Sequence, residues 1–134
     1  MKKLAKKEAI NIIKEYIKYE LMNKDWYKKI KSYVKAIVFY GSTAKGLNRS
    51  DSDLDILIFI PLEIELKHTK GEYSYTFDKR EINIVLRSIE RLRKLAKEQN
   101  NAFQAEVFRK SEIIFESDPE VRTLIEKIKA VKIK

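Results

Sequence analysis

The 134-residue sequence has no cysteine, 1 histidine, 3 glycines and 2 prolines. Without cysteine there are no disulfides and no thiolate metal sites, which fits a reducing compartment. His68 alone cannot make a histidine-based metal cluster, and a surface position is the simpler expectation for it. Long apolar runs are missing too. The basic N-terminus is interrupted by Lys and Glu every few positions, so it has neither a signal-peptide core nor a membrane span, and a cytoplasmic location with no membrane partner is expected. No repeat, linker or low-complexity segment is present.

What is abundant is charge. Lys and Arg number 29 against 20 Asp and Glu, a formal net charge of +9, which favours anionic partners such as nucleotides, RNA or an acidic protein. The excess is spread along the chain, and the dominance of Lys, Glu and Ile also suits a thermophile proteome. Hydrophobic residues make up 44%, including 7 Tyr, 6 Phe and 1 Trp, enough to build a real core. The length fits one domain. Its expected parts are an N-terminal helical segment over 1–34, a core sheet over 36–86 and C-terminal helices over 88–134.

Between Lys3 and Met22, Leu4, Ile10, Ile13, Ile17 and Leu21 recur at helical spacing, predicting an amphipathic helix. Asn23 to Asp25 breaks it, and Trp26, Ile30, Tyr33 and Val34 predict a shorter helix. Ala36 to Tyr40 is a continuous β-rich run ending in glycine, a buried strand. Ile56 to Ile60 is a second strand, stopped by Pro61. Glu63 to His68 alternates in part, and Tyr73 to Phe77 carries aromatics on one face. Asp78 to Arg80 turns into Ile82–Leu86, the third central strand. Ser88 is expected to cap a helix running to about Gln99, Phe103 to Arg109 to be helical, and Glu112 to Glu116 to be a short strand. Asp118 and Pro119 should open a last helix as N-cap and first helical position. The fold class predicted is α/β (α+β): a small mixed sheet flanked by helices.

The chemistry falls between the first two strands. Asp53 and Asp55, two apart at a strand entry, project from one face with Cα atoms roughly 6.7 Å apart. Carboxylates at that spacing can hold one divalent ion or bridge two, and two ions about 4 Å apart clamp an in-line phosphoryl displacement. Hard oxygen ligands and a phosphate substrate point to Mg²⁺. A bare Asp-x-Asp is more often a solvated or helix-capping acidic turn. The upstream order shifts that balance: Gly41 lets the backbone turn sharply and present N–H groups to phosphate oxygens, and Ser42 adds a hydroxyl donor. Lys45 and Gly46 follow, and Ala44 to Leu47 can open a short helix toward the same anion.

Gly41-Ser42-Thr43-Ala44-Lys45-Gly46 and Ser50-Asp51-Ser52-Asp53-Leu54-Asp55 resemble the signature of polymerase-beta-type nucleotidyltransferases. There, Gly-Ser is followed after ten residues by Asp-x-Asp, and Thr43 through Ser52 supplies those ten. The likeness covers about 37–86. The small size resembles the minimal, MntA-like nucleotidyltransferases of archaea and bacteria, many of them antitoxins beside HEPN-domain RNase toxins. The resemblance implies the polymerase-beta-type fold, triphosphate binding by Gly41, Ser42 and Lys45, and Mg²⁺ held by Asp53 and Asp55. It implies AMP transfer from ATP or another NTP to a hydroxyl of a HEPN-type partner protein or of RNA.

One position departs from the pattern. The family places a third acid on the next central strand, and Ile82-Asn83-Ile84-Val85 has Asn83 there. An amide oxygen can coordinate a metal but cannot take a proton from an attacking hydroxyl. Glu81 is expected to point away from Asn83, so that a bulge would be needed to bring it round. The alternatives are nucleotide or partner binding with little turnover, or deprotonation by another route. Lys45 replaces the usual Arg, keeping charge without the bidentate fork. Tyr73, Tyr75 and Phe77 read as packing residues rather than a base-stacking platform, Glu90, Arg91, Arg93 and Lys94 as a solvated helix face, and Lys127, Lys129, Lys132 and Lys134 as solubilising charge. A basic RNA-binding domain with an incidental Asp cluster is the reading outside this family.

Overall fold

Leu54 and Ile56 to Ile60 are buried in β2 (Leu54–Ile60), on both faces of the strand, and this double burial organises the molecule. The structure is a computed structural model, and it describes residues 5–40, 53–68, 70–98 and 102–130. β1 (Ala36–Tyr40) runs antiparallel to β2, and β4 (Arg80–Ser88) runs parallel to it. β3 (Glu72–Phe77) flanks β4 and β5 (Glu112–Glu116) flanks β1, both antiparallel, giving the order β3-β4-β2-β1-β5. The predicted mixed sheet is therefore the observed one. β1 begins and ends where its apolar run does, whereas β2 and β4 extend past theirs because backbone pairing continues through Leu54, Asp55, Arg80 and Glu81.

Each sheet face has its own helical layer. Ile37, Phe39, Leu54, Ile56, Ile58, Ile82, Ile84 and Leu86 pack against α1 (Lys6–Tyr19) and α2 (Asp25–Ile30), through residues such as Ile13, Tyr16 and Tyr27. Ala36, Val38, Leu57 and Phe59 pack on the other face against α4 (Ile89–Lys97), α5 (Ala102–Phe108) and α6 (Glu120–Lys129). The aromatics of β3 point to the first layer as packing residues: Trp26 stacks on Tyr73 at 3.9 Å between centroids, and Phe77 meets Tyr16 edge-on at 5.5 Å. His68 is half-buried beside them, with its Nε2 shielded from water, so it is not the plain surface residue expected.

Two local expectations change. Residues 63–68 do not extend; Leu62–Lys67 form a helix, α3. Pro61 takes an extended φ of −61° and its carbonyl accepts from Ile64 and Glu65, while Leu, Glu and Lys favour a helical turn over a two-residue alternation. Its first amide donates to Glu90 at 3.0 Å, so Glu90 caps α3 rather than merely facing solvent. The last helix starts at Glu120, one residue later than expected, with Pro119 before it; the Asp118 carboxylate still accepts from the Glu120 amide at 2.9 Å. Ser88 caps α4 as its sequence position predicts, accepting from Arg91 N at 3.1 Å.

The β3–β4 hairpin closes through Asp78 and Lys79, with φ of 53° and 62°. Both values suit the twist of a two-residue hairpin, but the left-handed region is costly for a side chain like lysine. Lys79→Gly should therefore raise stability by about 0.5–1 kcal/mol, partly offset by added unfolded-state freedom. A urea midpoint lower than that of the parent would contradict this account of the turn. Ser88→Ala, at a fully buried cap, should cost about 1–2 kcal/mol in the same assay.

Candidate active site

The parallel register of β2 and β4 sets Asp55 opposite Asn83. Asn83 in turn faces Ser74 on β3, and Asp55 faces Tyr40 on β1. Four side chains from four adjacent strands thus form one row, Ser74-Asn83-Asp55-Tyr40, on the face that carries α4 to α6. The row lies at the end of the sheet where β1 finishes and β2 begins.

One amide gathers the acids. Asn83 Nδ2 donates to Asp55 Oδ1 at 3.2 Å and to Asp53 Oδ2 at 3.3 Å, which spends both of its protons. Ser74 Oγ donates to Asn83 Oδ1 at 2.7 Å on the other side of the amide. The structure therefore brings Asp53, Asp55 and Asn83 together. Asp53 is exposed and Asp55 half-buried. Burial pushes the Asp55 carboxyl above its ordinary value, the hydrogen bond from Asn83 pulls it back, and the Asp53 charge pushes it up again. The Tyr40 hydroxyl is raised as well, by burial first and then by Asp55.

Glu81 corrects an expectation. It lies two residues before Asn83 in an unbulged strand paired in register with β2 and β3, so both side chains leave the same face. Glu81 is exposed, opposite Thr76, and needs no bulge to share the site's face. Gly41, Ser42 and Lys45, expected to hold phosphate, lie outside the described residues.

The donor set suits a hard divalent cation. Two carboxylates share a focus, and the amide between them can present Oδ1 instead of Nδ2 after a half-turn, because the Ser74 hydroxyl accepts as well as donates. Among the described residues no cluster of three acidic, histidine or cysteine side chains exists, so Asn83 is the third donor available there. Tyr40 and Ser74 escaped the sequence reading. Ser74 was within reach: once Asp78 and Lys79 are recognised as the whole turn, pairing Phe77 with Arg80 forces Ser74 opposite Asn83.

Comparison with known proteins decides the lineage. The sequence model of the family described as polymerase beta, nucleotidyltransferase, matches residues 24–120. The chain belongs to this nucleotidyltransferase family. A solved structure of a nucleotidyltransferase-like protein from Exiguobacterium sibiricum 255-15 is similar in fold, with a TM-score of 0.54 at 12% identity over 95% of this chain. The chain spans 39% of that protein's length. A toxin-antitoxin structure solved with AMP-PNP gives a TM-score of 0.41 at 14% identity, covering 81% of this chain and 85% of that one. Curated protein sequences give no match. Among the described residues no helix of this nucleotidyltransferase-family chain is long and apolar enough to cross a membrane.

A raised carboxyl favours the protonated folded state, so Asp55 contributes most to stability below its unfolded value near 3.8 and loses that contribution as pH rises through its folded value. Asp55→Asn, in metal-free buffer, should accordingly be more stable than the parent at pH 7. The gap should close as pH falls toward 4. Thermal unfolding across that range checks the sign: a variant less stable at pH 7 would show that the carboxylate is a net stabiliser.

Proposed function

We propose that this chain is a Mg²⁺-dependent nucleotidyltransferase that moves AMP from ATP to a hydroxyl. The reading rests above all on Asp53 and Asp55 converging on one strand entry in a chain of this family. Asp53 and Asp55 would hold the metal, Asn83 would orient them, and Gly41, Ser42 and Lys45 would take the triphosphate. The bound metal supplies charge neutralisation at the phosphates. The acceptor oxygen forms a bond to the α-phosphorus, pyrophosphate leaves, and the hydroxyl proton departs to a base. Asn83 cannot be that base. Glu81, exposed on the same face one step toward the start of β4, is the carboxylate next in line.

The acceptor we favour is a protein hydroxyl, in the manner of an antitoxin acting on a HEPN-type toxin, on the strength of the chain's likeness to minimal nucleotidyltransferases; the +9 charge supports RNA as the other acceptor. The Asn83 bridge favours a second reading, a member that binds nucleotide and partner with little turnover, since the amide ties up both acids and supplies no base.

Label transfer from α-³²P-ATP with Mg²⁺ tests this, using RNA or a HEPN-type protein encoded beside the chain as acceptor. Asp53→Ala with Asp55→Ala should abolish transfer, and transfer undiminished in that double variant rules the metal site out. Asn83→Asp should raise the rate by on the order of 10²-fold if a base at this position is what turnover lacks. An unchanged rate would assign the proton to Glu81 or to solvent.

A further inference from the structure

Directly inward from the carboxylate row the described residues leave part of the sheet uncovered. A cavity of about 430 Å³ opens there, floored by Tyr40, Leu57, Phe59 and Val85 and walled by α4 and α5. Leu57 and Val85 are the next residues on the same face after Asp55 and Asn83, one strand repeat or about 6.7 Å away. The volume lies within the usual range for a small-ligand site. Its rim is cationic: Arg87 from β4 and Arg91 and Lys94 from α4, against Glu98 as the one acid among the lining residues. Arg91 is not committed elsewhere in a strong pair, since its contact with Glu65 is 3.6 Å and its side chain stays well exposed.

Position decides which substrate this pocket fits. β1 ends at Tyr40, and in the sequence Gly41 and Ser42, proposed above to take the triphosphate, come directly after it. The pocket lies on the inner side of the row. In-line displacement requires the attacking oxygen to approach opposite the leaving pyrophosphate. We infer that this cavity is the acceptor subsite: it takes an apolar or aromatic group bearing negative charge and holds its hydroxyl toward Asp55 and Asn83. The inference rests on the nucleotidyl-transfer reading above. Leu57, Phe59 and Val85 would contact the apolar body, and Arg87, Arg91 and Lys94 its anionic part.

The test uses the aromatic anion 8-anilinonaphthalene-1-sulfonate as probe on the full chain, followed by fluorescence, with the non-hydrolysable nucleotide AMP-PNP and Mg²⁺ titrated separately by calorimetry. The probe should bind and remain bound in saturating AMP-PNP. Arg91→Glu with Lys94→Glu, on an exposed helix face where folding is not at stake, should weaken it by about tenfold or more while leaving AMP-PNP affinity unchanged. Val85→Trp, which fills the floor, should abolish probe binding, and its circular dichroism checks that it folds. Displacement of the probe by AMP-PNP would overturn the inference by making the cavity the nucleotide's own, and probe binding indifferent to the charge reversal would overturn it as well. Failure of the underlying reading looks different: the parent chain would then show no Mg²⁺-dependent AMP-PNP binding.

Discussion

Parallel pairing of β2 with β4 is the constraint from which the site follows. Two parallel neighbours cannot be joined by a tight turn, so the chain between them must leave the sheet and return, which it does through α3 and the edge strand β3. The return places both strand beginnings at one end of the sheet. Asp55 and Asn83, far apart in sequence, thereby become cross-strand neighbours, and the hairpin that completes the crossover sets Ser74 beside them. A slip of one residue in that register would turn Asn83 into the α1–α2 layer and Ile82 or Ile84 toward the acids. The apolar alternation of β4, with Ile82, Ile84 and Leu86 fully buried, holds the register against such a slip.

The two helical layers then divide the work. Apolar residues from α1 and α2 pack on the first face in one core cluster. Among the described residues the second face is covered only in part, by α4, α5 and α6, and the remainder contains the polar row and the cavity beside it. α4 is held where it stands at several points. Ser88 caps its start, Glu90 reaches the first amide of α3, and Arg93 makes a paired contact with Glu120 of α6 at 2.6 and 2.9 Å. The same short helix therefore serves as core wall, interhelical tie and cationic rim.

Much of this was legible in the residues. Apolar runs located β1 and β2, alternation located β3 and β4, and the cap residues at Ser88 and Asp118 marked the helices after them. The pairing of Asp53 with Asp55 followed from a two-residue spacing, whereas Asn83 was singled out only through the resemblance to the family, whose third acid stands at that place on the next central strand. What escaped had physical reasons. α3 is too short for its periodicity to be separated from a strand's, and its cap comes from Glu90, 28 residues away. The face of Glu81 was misjudged, although two-residue spacing settles it as firmly as it does for the aspartates. The cavity belongs to no motif, because it arises from where α4 and α5 stop covering the sheet, which no local pattern encodes.

Asn83 and an aspartate there differ by an amino group in place of an oxygen, and their codons differ by a single purine transition. Ser74 can donate to a carboxylate oxygen at position 83 as it does to the amide's, with neither volume nor backbone changed, but the two hydrogen bonds to Asp53 and Asp55 would give way to repulsion that a cation between the three acids would have to offset. A lineage carrying this scaffold therefore stands one base away from the family's usual third acid. Binding and turnover become separately selectable properties, and descent can cross between them without rebuilding the fold.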